Sequence, residues 1–189
     1  MQFAKDSFFL ALQGRLAALN PTRTVTVNGA TIPAVVVVEN LPPSCAEPQP
    51  NTFYIEWGAA DVAGGHAGNG ALMSLDVVMS YYTMGSVASM VDRGRLLAQL
   101  DDELLSICQP PNTEKRDYTQ SPSADLGTRV FWSQPSFSQG KGAGRFWGRV
   151  SFPERMQSGV TEDSESHQDG RVERKAELKI YFFSEVKLS

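Results

Sequence analysis

Acid, base or metal chemistry in this chain would fall first to its two histidines, His66 and His167. An imidazole works when a packed scaffold fixes it and a second group stands at ligand or proton-transfer distance. His66 lies inside Gly64-Gly65-His66-Ala67-Gly68, and His167 lies in a polar stretch before the last apolar segment. Neither has a scaffold or a second histidine at metal-ligand spacing, so both read as solvated loop residues.

Two glycine-rich runs, Gly64-Gly65-His66-Ala67-Gly68-Asn69-Gly70 and Gly140-Lys141-Gly142-Ala143-Gly144-Arg145, have the composition of a phosphate-cradling loop. That chemistry needs a strand feeding the loop, a helix N-terminus leaving it and, in the NTPase form, a Ser or Thr after the Lys. Both runs lead into strand-like sequence, and Lys141 is followed by Gly142. Connectors or hairpins are the better reading.

Asp101-Asp102-Glu103 is a run of three acids, but successive helix positions point in different directions and cannot converge on one substrate or ion. These carboxylates are expected to face solvent. Phe131, Trp132, Phe137, Phe146, Trp147 and Phe152, interleaved with Arg129, Arg145 and Arg149, have the makings of a stacking platform for bases or sugars. Yet Phe146, Val150 and Phe152 share one strand face while Trp147 and Arg149 share the other, which favours core packing on one side and a subunit contact on the other.

No catalytic residue, cofactor-binding residue or metal ligand is therefore assigned, and a non-enzymatic role is expected. Cys45 and Cys108, the two cysteines, fit neither a disulfide framework nor a zinc site and read as free thiols. A formal net charge of −4 lacks the positive field that holds a nucleic-acid backbone. Residues 1–7 lack a basic stretch followed by an apolar run, and no segment reaches the roughly 18 apolar residues of a membrane span. A protein made in the cytoplasm, without a membrane partner, is expected.

The elements that would position any site follow from periodicity. Phe8, Phe9, Leu12, Leu16 and Leu19 recur at helical spacing over residues 4–19, and Asn20-Pro21 stops the run. Residues 24–27 and 32–38 flank Asn28-Gly29, a dipeptide suited to a tight hairpin turn. The second of these is a valine run that reads as a strand covered on both faces, with Pro33 at its start or on an edge. Residues 53–57 make a short strand, and 58–70 a flexible loop. Over 71–82, Met73, Leu75, Val77, Met79 and Tyr81 alternate with Ser74, Asp76 and Ser80 as in a half-buried strand. A second helix over 87–107 carries Met90, Leu97, Leu100, Leu104 and Ile107 on one stripe, and Pro110-Pro111 ends it. Residues 128–137 and 145–152 read as an aromatic hairpin, and 153–170 as a mobile acidic loop. The last segment is the cleanest: Val172, Ala176, Leu178, Ile180, Phe182 and Val186 face one way, with Arg174 as an exception on that face. Arg171, Glu173, Lys175, Glu177 and Lys179 alternate in sign on the other face.

The expectation is one α+β domain over residues 1–189: a mixed, mostly antiparallel sheet packed against two amphipathic helices, with long loop insertions near 58–70 and 153–170. The order helix, hairpin ending in Ile32-Pro33-Ala34-Val35-Val36-Val37-Val38, one-sided strand, helix, and returning strands ending in Leu178-Lys179-Ile180-Tyr181-Phe182 resembles the tail terminator family of long-tailed phages. The resemblance covers most of the chain and rests on element order rather than a signature motif. This chain looks longer than minimal members, and both long loops read as insertions.

The resemblance implies a virion protein of the tail or neck, assembled in the host cytoplasm as a homo-oligomeric, hexameric ring. Such a ring caps the tail tube protein, stops its polymerisation and offers its opposite surface to a head-completion or stopper protein; DNA passes only transiently through the lumen. The candidate interface residues are Arg171, Glu173, Lys175, Glu177 and Lys179 on the last strand and Trp132, Trp147 and Arg149 in the aromatic hairpin. The alternatives are a stopper or other neck or tail subunit of a phage or contractile injection system. A further alternative is a carbohydrate- or nucleotide-binding enzyme that uses the aromatic hairpin as its platform.

Overall fold

A computed structural model describes residues 1–41, 48–63, 71–84, 90–109, 113–139 and 171–183, with the backbone alone at 63, 90–93, 138–139 and 171–173. Helix α1 (Gln2–Leu19) is followed by strands β1 (Thr24–Val27), β2 (Ala30–Pro33) and β3 (Val35–Val37) and a 3-10 turn at Val38–Asn40. Then come β4 (Phe53–Ala63), β5 (Leu72–Met84), helix α2 (Met90–Ile107), β6 (Thr113–Asp117), β7 (Ala124–Trp132), β8 (Ser136–Gln139) and β9 (Arg171–Phe183). The result is an α+β fold in which the sheet dominates. Among the described residues, no helix is long and apolar enough to cross a membrane.

β1 and β2 form a separate antiparallel hairpin, turned by Asn28 at φ 51° and Gly29 at φ 78°, the left-handed geometry that Asn-Gly accepts at little cost. The main sheet runs β3-β4-β5-β9-β7-β6, with β8 also paired to β9. Only β3 and β4 are parallel; the other described pairings of this sheet are antiparallel. The expected valine strand is divided at Ala34: Pro33 closes β2, and the three valines of β3 are all buried.

The centre of the sheet is the β5–β9 pair, in register from Leu72 opposite Phe183 to Met84 opposite Arg171. Cross-strand partners share a face, so Leu75, Val77 and Met79 lie beside Ile180, Leu178 and Ala176 on the core side, all buried. Helix α1 lays Ala4, Ser7, Phe8, Leu12 and Leu16 on that core. The Phe8 ring meets Trp132 edge-on at 4.9 Å and Trp57 at 6.2 Å. Its other side is less polar than an amphipathic reading implies, since Leu10 and Leu19 are 36% and 50% exposed.

The same helix reaches both outer strands of the sheet. Gln13 Nε2 donates to the Val35 carbonyl of β3 at 3.1 Å, and the Arg116 N–H of β6 donates to Ser7 Oγ at 3.1 Å. The sheet thus curls around α1, and side chains occupy edge groups that would otherwise invite another strand.

Three expectations change here. Residues 58–63 are not loop but the second half of β4, carried past a bulge where Trp57 faces Val77 and Ala60 faces Leu75. Three steps on one strand meet two on the other, and Gly58 sits so close to Asp76 that a Cβ would stand 3.0 Å from its Cβ. β6, a strand of polar sequence read as connection, pairs with β7 and turns Lys115 inward, where Nζ donates to the Phe183 carbonyl at 3.0 Å. The strand expected over 128–137 breaks at 133–135, because Pro135 has no N–H for the ladder. Trp132 faces Ile180 and Ser136 faces Glu177, so four steps meet three. Ser133 bridges the bulge, donating its N–H to the Lys179 carbonyl at 2.9 Å and accepting the Lys179 N–H on Oγ at 3.0 Å. Residues 145–152 and 153–170, with the rest of the aromatic hairpin and the acidic loop, lie outside the described residues.

Candidate assembly surface

The face of β5–β9 turned away from the helices carries Asp76 beside Lys179, Val78 beside Glu177 and Ser80 beside Lys175. Lys179 Nζ lies 3.2 Å from Asp76 and 3.8 Å from Asp61 of β4, while Lys175 and Glu177 pair along β9 at 2.7 Å. The hydrogen bond to Asp76, then its charge, holds the Lys179 ammonium above its ordinary range. One end of this face is roofed by the segment before β4: Tyr82 donates its hydroxyl to the Pro48 carbonyl at 2.5 Å, and the Gln49 N–H donates to the Tyr54 hydroxyl at 2.6 Å. Among the described residues the middle stays open. There the bulge at Gly58-Ala59 and the bulge at Ser133-Gln134 flank a shallow groove of about 480 Å³, floored by Asp76, Val78, Glu177 and Lys179.

Lys175, Glu177 and Lys179 are thus brought together on one surface, as the alternation along the last strand implied. Arg171 and Glu173 occupy the next places on the backbone of the same strand; their side chains, like all of Trp147 and Arg149, lie outside the described residues. Trp132 must be corrected. Its side chain is buried on Phe8, Nε1 donates to the Cys108 carbonyl at 3.1 Å, and Arg15 lies over its ring at 5.3 Å. Strand alternation turns the neighbouring Phe131 outward instead, where it stacks on Tyr181 of β9 at 5.3 Å. Sequence reasoning did not separate these two adjacent aromatics, because both suit either face.

The acids of α2 need a second correction. Glu103 is buried, taking Arg23 Nε and Nη2 at 3.0 Å each and Asn20 Nδ2 at 2.9 Å. Burial alone would push the Glu103 carboxyl up, but the hydrogen bonds from Arg23 and Asn20, with the Arg23 charge, hold it below its ordinary value. Asp101 is partly buried, 3.0 Å from Arg174 Nη2 and 2.5 Å from the Tyr81 hydroxyl that donates to it. Burial and the adjacent Asp101 carboxylate push the Tyr81 phenol well above its ordinary range. Asp102 is exposed, so the three acids diverge as helix geometry requires.

Glu103 and Asp101 thus tie α2 to other elements, through Arg23 and Asn20 on one side and Arg174 and Tyr81 on the other. Arg15 finishes the attachment by donating to the Ile107 and Gln109 carbonyls at 2.6 and 2.8 Å, which satisfies acceptors at the end of α2. Cys108, wholly buried there, has its thiol pushed up to about 12 by burial. Among the described residues no group of three or more His, Cys, Asp and Glu side chains could hold a metal ion. His66 and His167 lie outside those residues.

No protein-family model matches the sequence, and no curated protein sequence matches it. Among solved structures, a chain in a structure described as the virion of a native gene transfer agent particle is similar over 93% of this chain and 93% of its own, at 14% identity and a TM-score of 0.35. At that score the superposition is too loose to bear on fold or function.

Proposed function

We propose that this chain is a structural subunit of a phage-type particle, a tail terminator that closes into a homo-oligomeric ring, caps the tail tube and presents a joining surface to head-completion proteins. The observation that carries the reading is the division of labour between the two sides of β5–β9. On the core side the titratable groups are consumed in tying helix to sheet, through Tyr81, Arg174 and Asp101. On the other side, among the described residues, a long, partly charged surface stays open, with Lys175, Glu177 and Lys179 along one strand. A surface of that kind suits subunit contacts, where charge sets orientation and partner choice more than affinity. The element order adds the resemblance to tail terminators, and α1, by holding groups of both outer strands, favours face contacts over strand addition at those places.

The test is to mix the purified protein with tail tubes and follow tube length by electron microscopy. A terminator caps tube ends and fixes their length; a stopper leaves tube growth unchanged and binds on the portal side.

A further inference from the structure

We infer that the ring contact is front to back: the exposed side of α2 in one copy seats on the open β5–β9 groove of the next, with Arg95 entering between Asp76 and Glu177. This rests on the ring reading above and names its contact.

Charge favours this seating. Around the groove Asp61, Asp76 and Glu177 are 74%, 46% and 54% exposed, whereas Lys175 and Lys179 are 36% and 35% exposed. Each carboxylate already has a lysine within 4 Å, but three acids share two ammonium groups, so the balance around the groove is negative and favours a further cation. On α2, Arg95 and Asp102 are exposed and, among the described residues, have no side-chain hydrogen bond or ion pair. They stand seven positions apart, which is two turns or about 10 Å along one side of the helix. Lys175, Glu177 and Lys179 alternate in sign at about 7 Å per step on β9, so Arg95 over Glu177 places Asp102 within side-chain reach of a lysine. Gly94 and Ala98 adjoin the same side and allow the helix to come close to the sheet.

Geometry supplies the rest. α2 lies on the core side of the sheet, burying Leu97, Leu100, Leu104 and Ile107, so its exposed side and the groove are on opposite sides of the subunit. Two different patches on opposite sides make a heterologous contact, the kind that generates rings when the rotation closes. A two-fold dimer would require one patch to meet itself, and the acid-rich groove repels its own copy.

The experiment is a charge exchange read by sedimentation velocity over a concentration series, on the full chain, with circular dichroism and melting to verify folding. Arg95→Glu and Glu177→Arg should each weaken assembly about tenfold or more, and the double variant should recover to within about threefold of the original. Single variants that assemble at unchanged concentration, or a double variant no better than either single, overturn this contact while leaving the ring intact. If the unaltered protein stays monomeric both alone and with tail tubes, the ring reading falls and takes the contact with it.

Discussion

Arg174 of β9 and Asp101 of α2 meet at 3.0 Å across the boundary between sheet and helix, and the Tyr81 hydroxyl donates to the same carboxylate at 2.5 Å. Arg174 interrupts the apolar side of the last strand because α2 brings it a carboxylate. Replacing Arg174 with Leu should destabilise the fold by about 1–3 kcal/mol, since Asp101 would keep only the tyrosine in a partly buried site. Tyr81→Phe should cost about 1 kcal/mol by the same reasoning, and combining the two should give less than the sum because they share a partner. Urea denaturation of the three variants checks this.

Glu103 predicts an acid-sensitive helix. Its folded carboxyl titrates below the ordinary value, so its contribution is fully present above the unfolded glutamate range near pH 4.5 and is lost as pH falls through the folded pKa. Stability measured from pH 6 down to pH 3 should drop less steeply in Glu103→Gln than in the original protein. At pH 7 the variant should be about 1–3 kcal/mol less stable, because Arg23, whose side chain is only 17% exposed, would keep a partly buried charge without its counter-ion.

The bulge glycine Gly58 and the helix glycine Gly14 make opposite predictions. Gly58→Ala forces a Cβ to 3.0 Å from Asp76 Cβ and 3.2 Å from its carbonyl oxygen, and should cost about 1–3 kcal/mol. Gly14→Ala meets nothing within 4 Å on α1 and should stabilise by about 0.5–1 kcal/mol. Thermal melting of the two variants should therefore shift in opposite directions.

Cys108 should be silent in the native protein. Its thiol is buried and held at about 12, so little thiolate exists at pH 8. In a Cys45→Ser background, a chromogenic thiol reagent should react at the rate of unfolding rather than at the rate of a free thiol.

How much of this was legible in the sequence depended on whether a residue's neighbours were local. α1, the Asn28-Gly29 turn and the alternation on β5 and β9 follow from periods and turn chemistry that a few consecutive residues carry. Glu103 and Asp101 were read as solvent-facing because their partners Arg23 and Arg174 stand 80 and 73 positions away. Arg174 on an apolar strand face was the one local sign that a buried acid existed. The extension of β4 past Trp57 was hidden by Gly58-Ala59-Ala60, whose weak strand preference is overridden by pairing with β5. β6 was hidden for a related reason: its sequence Thr-Glu-Lys-Arg-Asp reads as a polar connection, and only the sheet turns Lys115 inward. Of the proposed surface, the alternating charges of β9 were visible; the groove was not, since it arises from two bulges on strands far apart in the chain.

The central claim is assembly into a closed ring, and the most direct measurement is the native mass of the particle, by native mass spectrometry or sedimentation equilibrium, alone and with tail tubes. A single species at a fixed small multiple of the subunit mass, hexameric on the family resemblance, is the predicted result. A monomer under both conditions would contradict it.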